Sequence, residues 1–195
     1  MKKLFAIVCM MLMSTAMFAQ SNMTARVGVG MSSYAGDDTD GYKSAFSYKI
    51  GVDYDYAITD AFSVIPGLEL ANKGFKADNL DGTVNMFFIQ IPIFAAYKFD
   101  IADGMKLAIK AGPYLSYGLF GSDIEWSYSN GTTKKVNIFD SDGDTERFQA
   151  GIIGGVALDL GQYVISAEIS RGFTKAYKEA KTYQMCYGVT FGYKF

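Results

Sequence analysis

The stretch Tyr183-Gln-Met185-Cys-Tyr187-Gly-Val189-Thr-Phe191-Gly-Tyr193-Lys-Phe195 puts a large apolar or aromatic side chain at every odd position and a small or polar one at every even position. Side chains of a β-strand alternate between two faces. Strict period-two alternation therefore specifies a strand with one oily face and one polar face. Half of the residues are hydrophobic, with 14 Tyr and 15 Phe. Yet past the N-terminal segment no stretch approaches the ~18 apolar residues that a membrane-crossing helix needs. Oily content without an oily run is what alternating strands around a closed barrel produce.

Seven further segments can carry strands: 23–34, 43–58, 62–76, 84–99, 105–120, 147–160 and 163–173. Their apolar faces include Val27 and Val29, Phe46 to Tyr56 at even positions, Leu68 and Leu70, Ile89 to Tyr97 at odd positions, Ile109, Leu115, Ile152, Val156, Ile165 and Ile169. Thr59-Asp60, Ile101 to Gly104 and Gly161-Gln162 are tight connections, whereas 35–42, 77–83, 121–146 and 174–181 are longer and polar. Short turns on one side and long loops on the other are the outer-membrane pattern, with the turns facing the periplasm. Gly161-Gln162 can close a two-residue hairpin that brings Leu160 opposite Tyr163. The expected fold is all-β: an eight-stranded antiparallel up-and-down transmembrane β-barrel with both termini periplasmic.

The opposite face carries charges of both signs: Arg26, Lys49, Asp53, Asp55, Glu69, Lys98, Lys106, Lys110, Asp159, Glu168 and Lys194. On one strand alone, a soluble barrel with charges pointing to water fits equally well. Aromatic residues near the strand ends favour the membrane. Tyr54, Tyr56, Phe62, Tyr97, Phe99, Tyr193 and Phe195 fall beside the tight turns, and Phe46, Tyr48, Tyr117, Phe148, Phe173 and Tyr183 fall near the long loops. Two aromatic girdles flanking an aliphatic band mark a membrane wall. The charges then lie inside a barrel only wide enough for side chains to fill it, where they must pair or stay hydrated. A structural plug is expected rather than an ion path.

The N-terminus fits export: Lys2 and Lys3 precede an apolar run from Leu4 to Met13 and a plausible cleavage point at Ala19-Gln20. Residues 1–19 read as a cleaved signal peptide and 20–195 as one barrel domain. Cys186 is then the sole cysteine, which excludes an intramolecular disulfide. Removing Lys2 and Lys3 takes the formal charge from −2 to about −4, which argues against nucleic acid as a partner. Phe191, Tyr193 and Phe195 resemble the C-terminal signal that outer-membrane barrels present to their insertion machinery.

Histidine is absent from the sequence. Ser-His and Asp-His mechanisms need it as a base whose pKa lies near operating pH, and the usual zinc sites need it as a ligand. The chain therefore reads as a non-enzyme without a cofactor. Asp140-Ser-Asp142-Gly-Asp144-Thr-Glu146 spaces oxygens like part of a calcium loop, but Gly143 precedes the third acid instead of following it. It reads as a solvated acidic tip, as does Asp37-Asp38-Thr-Asp40-Gly41. Residues 121–146 form a far longer connection than a hairpin needs, and two alternating pieces, 124–128 and 136–139, suggest a projecting hairpin with an exposed edge. Trp126, Tyr128, Lys134 and Lys135 supply the aromatic and charged mixture that binding surfaces use.

Pro66, Pro92 and Pro113 fall inside expected strands, although proline is normally confined to edges or bulges. The surrounding motifs, Phe62-Ser-Val-Ile-Pro66-Gly67-Leu, Ile89-Gln-Ile-Pro92-Ile-Phe-Ala-Ala-Tyr97-Lys-Phe and Lys110-Ala-Gly112-Pro113-Tyr114-Leu-Ser, resemble the PorT-like outer-membrane β-barrel family. So does the ending Val189-Thr-Phe-Gly-Tyr-Lys-Phe195, and the resemblance spans roughly residues 24–195. That family commonly has an acid before Ile-Pro; here Gln90 takes its place. The resemblance implies a barrel and, for the family's named member, a part in outer-membrane protein secretion. The expected role is a structural or surface-binding barrel acting through its extracellular loops, with an accessory role in secretion or assembly as the alternative. Expected partners are outer-membrane lipid and lipopolysaccharide, the insertion machinery during biogenesis, and a protein partner at the loops.

Overall fold

The structure, a computed structural model, describes residues 22–36, 42–77, 83–127, 133–139, 146–174 and 182–195. The expected signal peptide lies outside the described residues. Eight long strands form the wall: β1 (Met23–Gly36), β2 (Tyr42–Tyr54), β3 (Phe62–Asn72), β4 (Met86–Ala102), β5 (Met105–Gly121), β6 (Phe148–Asp159), β7 (Tyr163–Gly172) and β8 (Thr182–Lys194). Each pairs antiparallel with the next in sequence, and β8 returns to pair with β1. The sheet is thus a closed eight-stranded antiparallel barrel.

The tight turns close one rim. Leu160 N–H donates to the Tyr163 carbonyl at 2.8 Å, and Ile58 and Thr59 N–H both donate to the Phe62 carbonyl. Gly104 (φ 73°) and Gly161 (φ 84°) supply the left-handed backbone that these turns require. Phe195 N–H donates to the Met23 carbonyl at 3.2 Å, so the described ends of the barrel meet at this same rim.

The outward face is apolar from rim to rim. Ile50, Ile91, Ile93, Ile109, Leu115 and Val189 all point away from the barrel. Phe46, Tyr48, Phe87 and Phe120 form a chain of ring contacts near the loop side, and Tyr97–Phe99 and Tyr163–Tyr193–Phe195 do so near the turns. Phe87 to Tyr97 on β4 crosses from one row to the other. At ~3.3 Å per residue and a tilt of ~40°, that run spans about 25 Å, the height of a membrane-facing band.

The prolines sit where the ladder is interrupted. Pairing of β3 with β4 stops at Pro66–Ile93 and resumes at Glu69–Gln90, which leaves Pro92 in the gap. Pairing of β4 with β5 stops at Pro92–Tyr114 and resumes at Ala95–Ala111, which leaves Pro113 in a second gap. The missing proline N–H groups therefore fall where no partner carbonyl requires them. The strands approach closely here: a Cβ on Gly112 would lie 1.8 Å from the Ile93 carbonyl oxygen, so only hydrogen fits.

One expected strand is split. The segment read as 62–76 ends at Asn72, and a short strand, Phe75–Ala77, follows the break. Lys73 N–H donates to the Met86 carbonyl at 2.8 Å, while the Gly74 carbonyl accepts from the Ser32 hydroxyl at 2.8 Å. Glu69, Ala71, Lys73 and Phe75 are all buried, so the inward register continues across the break, and Asn72 is drawn in beside them.

Candidate functional site

Arg26 on β1 stands at the centre of the barrel. Its guanidinium approaches three carboxylates: Glu69 at 2.6 Å, Glu168 at 3.0 Å and Asp53 at 3.2 Å. Glu168 also accepts from Lys49 at 2.5 Å and Lys110 at 2.6 Å. Glu69 accepts from the Gln90 amide at 2.5 Å. The cluster draws on β1, β2, β3, β4, β5 and β7, so it ties opposite walls together. Register explains how six long side chains fit one lumen. Arg26 lies opposite Gly51 and Gly192 on its two neighbours, and Glu168 lies opposite Gly155 and Gly188. The glycines leave lateral room for the charged chains beside them.

Apolar groups share this interior, which the reading of a mainly charged polar face did not anticipate. Phe94, Tyr114 and Ile153 form a buried cluster against the ions. The Lys110 ammonium lies 4.6 Å from the Phe94 ring centroid and the Arg26 guanidinium 5.6 Å from it. Such contacts favour a cation over an aromatic face. Nearer the loops, Tyr34, Phe75, Val84, Met86, Phe88, Ile138 and Phe139 form a second buried cluster. Ile138 and Phe139 were expected in a projecting hairpin. They belong instead to a turn that drops into the barrel mouth, where Phe139 packs against Gly118 and edge-on to Phe88. Arg147 secures this return: it donates to the Phe139 carbonyl at 2.9 Å and the Gly118 carbonyl at 3.1 Å.

The remaining charges lie elsewhere. Asp55 pairs with Lys98 at 2.5 Å and Asp159 pairs with Lys194, both toward the turn-side rim. Lys106 does not join the interior cluster. It pairs with Asp100 at 3.3 Å beside the β4–β5 turn, with 41% of its side chain exposed, because β5 begins there and water reaches it. Lys73, overlooked in the sequence, is buried at 2% exposure; it continues the inward register of Glu69 and Ala71, and that alternation was the signal that could have found it. Phe191, Tyr193 and Phe195 all face outward beside the turn-side rim. Cavities of about 50 and 60 Å³ lie to either side of the Arg26 cluster, each too small for more than a few waters.

The long connection contains a hairpin, Asp123–Ser127 with Thr133–Asn137, which forms a two-stranded sheet of its own. Trp126 is paired with Lys134, and Glu125 with Lys135. Tyr128 lies outside the described residues, as do the acidic segments 37–41 and 140–145.

The sequence matches the family described as "Outer membrane protein beta-barrel domain" over residues 18–178. The chain belongs to this family. Its outward apolar wall is accordingly the face that meets the outer membrane. Comparison with curated protein sequences finds no match. Among solved structures, this outer-membrane barrel is similar to the outer membrane enzyme PagL, with 11% identity and a TM-score of 0.56 over 88% of this chain and 99% of that one. It is similar to Neisserial surface protein A, NspA, with 12% identity and a TM-score of 0.52 over 89% and 97%. The attachment invasion locus protein Ail of Yersinia pestis matches with 16% identity and a TM-score of 0.44 over 90% and 99%. At such identities the likeness to PagL and NspA concerns the fold alone.

Proposed function

We propose that this outer-membrane barrel is a non-conducting, non-enzymatic scaffold that presents its loops as a surface-binding site. The observation that carries the reading is the filled lumen. The carboxylates of the central cluster all meet a cation, and Ile138 and Phe139 fill the mouth above them. A barrel closed in this way has no use as a pore. The complete absence of histidine in the sequence supports a non-catalytic role.

The short-turn rim is assigned to the periplasm and the loops to the cell surface, following the usual asymmetry of such barrels. Phe191, Tyr193 and Phe195 are assigned to recognition by the insertion machinery, and the outward wall to contact with lipid and lipopolysaccharide. The hairpin 123–137 is the proposed binding element. Its strands pair only with each other among the described residues, so their outer edges can accept a further strand. The motifs behind the PorT-like resemblance serve the wall, since their prolines mark the ladder gaps, and they favour no role in secretion over this one.

The test replaces 123–137 with a short Asn-Gly turn and keeps Ile138, Phe139 and Arg147. The shortened barrel should insert and retain a boiling-dependent gel mobility, yet lose the protein that the full-length barrel recovers from crosslinked outer membranes. Unchanged capture of that protein would move the recognition surface to another loop or to the wall.

A further inference from the structure

Lys73 is a buried cation with an incomplete environment. Its side chain is 2% exposed. The ammonium lies 4.7 Å from the Tyr114 ring centroid and 5.1 Å from that of Phe88, and its hydrogen-bond partner is the Ser116 hydroxyl at 3.4 Å. Among the described residues no carboxylate comes within ion-pair distance of it, although each carboxylate of the central cluster has one or more cations that close. The buried centre therefore holds four cations, Arg26, Lys49, Lys73 and Lys110, against three acids, Asp53, Glu69 and Glu168. Two aromatic faces offset only part of the cost of burying an unpaired ammonium.

Lys73 also lines the cavity of about 50 Å³ on the loop side of the cluster, together with Lys49, Ser170 and Cys186. Gly28, Gly30 and Gly188 line it as well, packed so closely against neighbouring strands that a Cβ at any of them would meet an atom within 3 Å. We propose that this cavity is a site for a small monovalent anion of the halide class, held by the Lys73 ammonium with Lys49 beside it. The charge count selects a monovalent anion, and a cavity that holds only a few waters excludes a large one. A tetrahedral oxyanion would press its oxygens against Glu69 and Glu168, which line the same cavity. Those two carboxylates are themselves occupied by Arg26, Lys49, Lys110 and Gln90, so they leave Lys73 uncompensated.

The experiment refolds the full mature barrel into detergent in sodium chloride, sodium bromide or sodium gluconate at equal ionic strength, and measures Tm by circular dichroism. A saturable rise in Tm of several degrees is expected in either halide over gluconate, and Lys73→Met should abolish the difference. Crystals of the wild-type barrel refolded in bromide should show an anomalous peak in contact with the Lys73 Nζ, a measurement that stands even if Lys73→Met does not fold. Equal Tm in chloride and gluconate for the wild type would overturn the site. So would a halide shift that survives in a folded Lys73→Met barrel, or a bromide map with no peak at Lys73.

Discussion

Arg26→Met is the perturbation that most directly tests the central cluster. Methionine keeps the side-chain length but removes the charge that holds Asp53, Glu69 and Glu168. The three acids do not suffer equally. Glu168 keeps Lys49 and Lys110, and Glu69 keeps Gln90 with Lys49 at 3.7 Å, while Asp53 loses the only cation within ion-pair distance of it among the described residues. Removing one partner of a buried ion pair costs about 3–5 kcal/mol because it strands the other charge. We therefore expect Arg26→Met to destabilise the barrel by ~3–5 kcal/mol. Asp53→Asn in the same background should restore part of that loss, with a coupling of about 1–3 kcal/mol in the double-mutant cycle. Lys106→Met is the control, since its exposed pair with Asp100 is worth at most ~1 kcal/mol. Urea unfolding in lipid vesicles, followed by gel mobility and circular dichroism, measures all four variants. Stability of Arg26→Met within ~1 kcal/mol of wild type, or strict additivity with Asp53→Asn, would refute Arg26 as the charge that holds the cluster together.

Ile91→Arg, on the lipid-facing side of β4, should cost ~2–4 kcal/mol if it lies near the bilayer midplane, and a neutral effect in the same unfolding assay would mean that the face is misassigned. Gly112→Ala must push the Ile93 carbonyl aside and should destabilise by about 1–3 kcal/mol; a wild-type unfolding curve would show that the strands do not approach so closely there. Planar-bilayer recordings of the barrel should show no stable, porin-sized conductance, and a large reproducible open state would contradict the filled lumen.

The wall was legible because lipid imposes one rule on every outward position. The odd residues of Ile89 to Tyr97 and the even residues of Phe46 to Val52 obey it without exception, so strand location and face followed from spacing alone. The lumen obeys no comparable rule. Phe88, Phe94 and Tyr114 sit on the same face as Gln90, Lys98 and Lys110, and only three-dimensional proximity decides which fills space and which carries charge. Lys73 was readable in principle, because it continues the inward register of Glu69 and Ala71 and the break at Lys73-Gly74 leaves Phe75 on that same face. Ile138 and Phe139 were hidden because their pattern continues that of the hairpin while their backbone turns away into the mouth. Tight turns such as Gly161-Gln162 could be read because glycine chemistry is local; the course of the long connection depends on the distant carbonyl groups that Arg147 grips.

The seam between β1 and β8 carries a consequence for biogenesis. Thr24 pairs with Lys194, and Arg26 reaches Glu168 across 142 positions of sequence. Contacts of such separation cannot form while the chain is still emerging, and the loop they close makes them late and slow events. Before closure, β1 and β8 each carry an unpaired backbone edge, and Arg26 and Glu168 stand apart. Closure therefore joins two sticky margins in one event, and formation of the Arg26–Glu168 contact is a chemical timestamp for it.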